Sequence, residues 1–194
     1  MVRKISLLTL ILVFFAQVAS AAVYKVDPVH SQIQFTVDHL MIFKVSGVFT
    51  EFQGEVEVDA ANNALQSARA TIEVASIDTR EPKRDDHLRS ADFFDVANHP
   101  TLTFVSKKVE GEGSAITVHG DLTIRGTTRP IVLTGSFRGA NTDPWGNVRA
   151  GYAASGTIDR RDFGLTWNKA LETGGMVVGN EVVINLEVQA IKAQ

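Results

Sequence analysis

Val48-Phe49-Thr50-Glu51-Phe52-Gln53-Gly54-Glu55-Val56-Glu57-Val58-Asp59 sets the fold class. Val48, Thr50, Phe52, Val56 and Val58 alternate with Glu51, Gln53, Glu55, Glu57 and Asp59. A period of two puts one side chain on the core and the next in water, which is a half-buried β-strand. The same period recurs in both directions along the chain. Ile33, Phe35 and Val37 alternate with polar neighbours, as do Ala68, Ala70, Ile72 and Val74, then Ile116, Val118, Leu122 and Ile124. Ile131, Leu133 and Phe137 follow, and further strands are expected near 101–109, 148–158 and 180–191.

Gly, Pro, Asn and Asp clusters separate these runs, at Asp59–Asn63, Glu110–Gly113, Arg125–Thr128 and Asp143–Asn147. Such clusters favour hairpin reversals. About eight or nine antiparallel strands result, and their edges must be hidden by closure or by a sandwich. The expectation is an all-β chain in one domain without repeats or linkers, its strands closed as a single antiparallel β-barrel of about eight strands or packed as a sandwich. A single short helix is expected near Arg84–Ala91. It falls within Ser76–Asp95, where four bases, six acids, a histidine and two adjacent phenylalanines interrupt the alternation.

The N-terminus reads as a cleaved signal peptide over residues 1–21. Arg3 and Lys4 precede an apolar run from Ile5 to Val18, and Ala19-Ser20-Ala21 supplies a small-x-small cleavage site. The run is shorter than the ~20 residues of a spanning helix, and no later segment approaches one. The domain proper is then residues 22–194, exported and soluble, in the periplasm or secreted. It carries 17 bases and 22 acids, a net charge of −5, which disfavours nucleic acid as a partner. With no cysteine in an oxidising compartment, the core must hold without disulfides, and thiolate chemistry is excluded.

An eight-stranded barrel either fills itself with side chains or holds one small ligand. Several inward candidates are small: Gly54, Ala68, Ala70, Gly120, Gly135, Ala150, Ala154 and Gly156. They leave volume that Phe35, Phe52, Phe104 and Phe137 would wall. Equally, glycines bend strands at barrel corners and alanines oppose bulky partners. From the residues alone, both outcomes stand.

Several motifs occur together and in order. They are His30-Ser31-Gln32-Ile33-Gln34-Phe35, Gly47-Val48-Phe49-Thr50-Glu51-Phe52-Gln53-Gly54, Asp85-Asp86-His87-Leu88-Arg89-Ser90-Ala91-Asp92-Phe93-Phe94-Asp95, Gly120-Asp121-Leu122-Thr123-Ile124-Arg125-Gly126 and Arg160-Arg161-Asp162-Phe163-Gly164. Together they resemble the YceI-like family of exported polyisoprenoid-binding proteins, over essentially the whole mature chain. The resemblance implies a lipocalin-like barrel around a long apolar ligand with a polar head. It implies no established chemistry on that ligand. The expected function is therefore a non-catalytic periplasmic carrier of a bound polyisoprenoid or similar long-chain lipid, without other cofactor. The family analogy also leaves room for a homodimer.

The expected apolar wall is Phe35, Val37, Phe43, Phe52, Ile72, Phe94, Phe104 and Trp167, with Phe43 and Phe94 near the mouth. Each taken singly could equally be ordinary core. For the head group the candidates are His39, Arg84, Asp85, His87 and Arg89, since guanidinium and imidazole groups hold diphosphate or carboxylate. The segment Ser76–Asp95 nets −2, however, so Asp85 and Asp86 can instead pair with Arg84 and Arg89 and order the loop. His30, His39, His87, His99 and His119 form no close ligand pair, so no metal site is expected. No catalytic residue is assigned. The rival readings are an enzyme using His39, Asp85 and His87 on a lipid head group, and a filled barrel that binds another protein.

Overall fold

The computed structural model describes residues 21–193. The expected leader lies outside them except for Ala21. The alternating runs form β1 (Ala21–Val26), β2 (Gln32–His39), β3 (Phe43–Phe49), β4 (Phe52–Asp59), β5 (Leu65–Glu73) and β6 (Ile77–Asp78). After the helix α1 (Pro82–Arg89) come β7 (Thr101–Glu112), β8 (Ala115–Ile124), β9 (Thr127–Thr142), β10 (Val148–Asp159) and β11 (Val178–Lys192).

All pairings are antiparallel, in the order β1-β4-β5-β7-β8-β9-β10-β11. The ring closes where β11 returns to β1 through Tyr24↔Lys192, Lys25↔Ile191 and Val26↔Ala190. This is a closed eight-stranded barrel. The remaining half of β11 pairs with β2, β2 with β3, and β3 with β6. The first three staves of the barrel are thus each two strands in line: β1 with β2, β3 with β4, and β5 with β6.

The three breaks fall at Asp27–Ser31, Thr50–Glu51 and Val74–Ser76, and the last two are laced together. The Thr50 amide donates to the Ser76 carbonyl at 3.2 Å, and the Glu73 amide donates to the Glu51 carbonyl at 2.9 Å. Each break also shifts the inward parity by one residue. In β4 the inward residues are Phe52, Gly54, Val56 and Val58, but in β3 they are Gly47 and Phe49. Val48, read from the alternation as inward, therefore faces away, because a one-residue slip flips every side chain to the other face.

The breaks have a further consequence. Among the described residues β6 pairs only with β3, so no ladder joins it to β7 at this end of the barrel. The segment 79–100 fills the gap. Pro82 starts α1, where its missing N–H costs nothing, and Glu81 caps it by accepting from the Lys83 amide at 3.2 Å. Leu88, Phe93 and Phe94 from this segment face the interior. The other end is packed solid: Val58 and Ala190 are fully buried, and Tyr24 and Ala150 nearly so.

Outward positions such as Gln53, Glu57, Lys107 and Thr134 are exposed and polar. A polar exterior around an apolar interior is the reverse of an outer-membrane barrel. Trp145, in the β9–β10 turn, is 81% exposed and covers nothing.

Candidate functional site

The inward residues do not fill the barrel. A cavity of about 270 Å³ lies inside, within about 1740 Å³ of atom-free space that continues into solvent. Carbon lines almost all of it. Along β11, Val182, Ile184, Leu186 and Val188 face it in strict alternation, and Val178 borders it beyond an irregularity in the ladder. At ~3.3 Å per residue these positions span roughly 30 Å of strand. The shape suits one linear chain, at the lower edge of the ~300–1,000 Å³ typical of small-molecule sites.

Four of the eight small residues create this space: Gly54, Ala68, Ala70 and Ala154 line it. The others serve packing. Phe104 lays its ring over Gly120, Leu133 covers Gly156, and Gly135 lies against the backbone of β10. Ala150 is buried at the packed end. Tyr152 also lines the cavity. Burial, with a smaller contribution from Tyr24, pushes its phenol up to about 12, so the hydroxyl stays protonated.

Of the eight expected wall residues, Phe35, Val37, Phe52, Ile72, Phe94 and Phe104 border the cavity. Phe94 packs edge-on against Phe49 at 6.1 Å, tying the filling segment to β3. Phe43 lies elsewhere, 69% exposed at the tip of the β2–β3 hairpin. Trp167 stands behind the wall, 5.2 Å from Phe93 and 4.8 Å from His87 between ring centroids.

None of the five head-group candidates borders the cavity; each is engaged with its neighbours. Asp85 is buried and accepts from the Thr79 amide at 2.9 Å and from the Thr79 hydroxyl. Arg84 donates to Thr79 Oγ1 at 2.7 Å and to the Thr79 carbonyl at 2.8 Å. Arg89 donates to the carbonyls of Ala75 and Ile77, both at 2.9 Å, and to Asp86. His87 bonds Asp92 at 3.0 Å while its ring meets Phe93 and Trp167 edge-on. His39 pairs across the ladder with Phe43 and Val178. Asp85 and His87 thus serve the 79–96 segment, and His39 sits on another element. Among the described residues no three His, Cys, Asp or Glu side chains converge as a metal site would require.

One charged residue at the cavity escaped the sequence reading. Arg160 begins the 3₁₀ turn Arg160–Phe163, is 5% exposed and borders the cavity. Its guanidinium donates to the carbonyls of Gly179 (2.8 Å), Trp167 (2.9 Å), Val178 (3.4 Å) and, in a short contact, Leu165. Among the described residues no carboxylate pairs with it. Burial lowers its pKa, against the field of Asp159. Four carbonyl dipoles stand in for a counter-ion, which leaves little of its charge for a ligand. Arg160 and Arg161 are adjacent, and nothing local in the sequence marks one of them as buried.

The chain matches the YceI-like domain model over residues 24–190. Protein YceI of Escherichia coli O157:H7 is 40% identical over 156 residues, covering 79% of this chain and 82% of that protein. Among solved structures, Burkholderia cenocepacia BcnA superposes with a TM-score of 0.73 at 26% identity, covering 85% of this chain and 99% of that one. A polyisoprenoid-binding domain from Saccharophagus degradans, implicated in plant cell wall breakdown, superposes at 0.60 with 15% identity, over 88% of this chain and 98% of that one. The last likeness is one of fold. Match, identity and superposition agree with the barrel described above, and the chain belongs to the YceI-like domain family.

Proposed function

We infer that this protein is a non-catalytic binding or carrier protein. It would hold the apolar chain of an isoprenoid or similar long-chain amphiphile inside the barrel and work in the periplasm. One observation carries the reading: the barrel is hollow, and its hollow is lined almost wholly by carbon. The name of the Saccharophagus degradans domain adds the ligand class by analogy of fold. Among the described residues no helix is long and apolar enough to cross a membrane.

The energetics are adequate. Two or three buried isoprene units contribute roughly 8–12 kcal/mol at ~0.8 per CH₂ equivalent. Association costs ~4–15 kcal/mol, so a short tail binds weakly and a longer one tightly, limited by the space available. Selectivity follows chain length and shape. The enzyme reading needs acid–base groups within reach of the bound head. Of its three proposed groups, Asp85 and His87 are instead committed to the 79–96 segment, and His39 sits at the end of β2.

The test is to fill the hollow. Ala154→Phe puts a ring into the cavity on β10, where space already exists. Displacement of a fluorescent fatty probe by a polyprenyl alcohol should weaken at least ten-fold, with the thermal midpoint nearly unchanged. Equal affinity in the two proteins would place the lipid outside the barrel and end this reading.

A further inference from the structure

Among the described residues, apolar exposure is concentrated at one place. Met41, Ile42 and Phe43 are 71%, 84% and 69% exposed, Leu40 is 37% exposed, and Met176 beside them is 50% exposed. Other exposed apolar residues, such as Val29 and Trp145, stand singly and need no explanation. The Leu40 amide donates to the Val177 carbonyl at 2.8 Å, and Met41 Sδ rests against Gly175. The β2–β3 reversal and the 169–177 hairpin therefore form one exposed apolar tip.

Its backbone shows that these side chains are not there for the turn. Leu40 and Met41 have φ of 53° and 61°, in the left-handed region. Bulky residues are disfavoured there, whereas Asn-Gly fits such a reversal without strain. Apolar side chains are thus held in water, in a conformation they oppose. That combination points to a role outside folding. The tip also continues from the cavity: Val37 and Val178 line it, and His39, which pairs with Val178, directly precedes Leu40. At its base the charges cancel, with Lys44 bonded to Asp38 at 2.8 Å.

We propose that this tip inserts into the surface of a lipid bilayer, where the barrel loads or releases its cargo. The proposal rests on the lipid-holding reading given above. An exposed apolar apex with a charge-paired base, continuous with an apolar cavity, fits a lipid interface. The mature chain's net charge of −5 gives no attraction to anionic lipid, so insertion has to be apolar. The expected association is weak and reversible, comparable to a single acyl anchor at about 10⁴ M⁻¹.

The test uses the double variant Leu40→Asn, Met41→Gly. It relieves the backbone and takes two of the apolar side chains, Leu40 and Met41, off the tip together, so stability and docking should move in opposite directions. The thermal midpoint should rise while co-flotation with phosphatidylcholine vesicles falls at least ten-fold. Wild-type flotation should persist at high salt and be no stronger with phosphatidylglycerol present. Binding of farnesol, which needs no membrane, should be unchanged in the variant. Wild-type protein that does not float, or a variant that floats equally well, overturns the proposal. So does a wild-type dimer that the substitutions dissociate, since the tip would then cover a second copy. Loss of farnesol binding in both proteins, with flotation intact, would count against the cavity reading while leaving the docking tip standing.

Discussion

Arg160 ties together its own 3₁₀ turn, residues 165–167 and the start of β11, just beyond the last β10–β11 ladder pair at Asp159 and Glu181. Removing it leaves buried carbonyls without donors. Arg160→Met should destabilise in urea unfolding by at least ~1–3 kcal/mol, the cost of one buried carbonyl left without its donor. Arg160→Lys should rescue little of this, because an ammonium cannot reproduce the planar fan of donors. A loss under ~1 kcal/mol in Arg160→Met would show that the carbonyls find water instead. Sequence patterning could not reveal this residue, since its burial depends on carbonyls brought from 5 to 19 positions away. The same limit applies to Phe43, whose apolar character suited a wall although the hairpin carries it to an exposed tip.

At the scale of elements, α1 and the residues after it stand where a ladder is missing. Ser76–Asp95 is rich in charge and supplies four of the five head-group candidates. Much of that charge is internal bracing, with Asp85 accepting from Thr79 and Arg89 spanning to Ala75 and Ile77. Asp85→Ala should weaken the brace by ~1–3 kcal/mol. Amide exchange should then accelerate across 79–96 and remain slow in β8 to β10; uniform acceleration would mean that the segment does not open separately.

A second brace joins the break after β1 to the β9–β10 turn. Arg149 donates to Asp27 at 2.7 Å and to Asp143 at 2.8 Å. Its hydrogen bond holds the Asp143 carboxyl well below the usual carboxylate range. Asp27 is lowered too, because its bonds to Arg149 and His30 outweigh its burial. Depressed carboxylates stabilise the fold fully above their unfolded pKa of ~3.9, and lose that stability as pH falls through the folded value. Wild-type stability should be flat from pH 7 to about 5 and then decline below about 4. Arg149→Met should be less stable at pH 7 and show a shallower decline. Parallel acid profiles for the two proteins would remove this brace from the account.

For the molecule as a whole, the alternation at Val48–Asp59 and its counterparts was enough to give strands, whereas closure against a sandwich was decided only by the family resemblance. The alternation missed the three breaks, because a one-residue shift within a run leaves composition unchanged. It also left open whether the barrel is filled. That depends on which small residues are covered by neighbours: Gly120 is, under Phe104, whereas Ala70 and Ala154 are not. The central claim is a hollow barrel that carries a lipid chain, and native mass spectrometry of protein taken from its own compartment addresses it most directly. The account predicts a bound species of lipid mass, removed by solvent extraction and restored by a polyprenyl lipid in one-to-one ratio. Protein that emerges bare and stays bare with polyprenyl lipid added would contradict it.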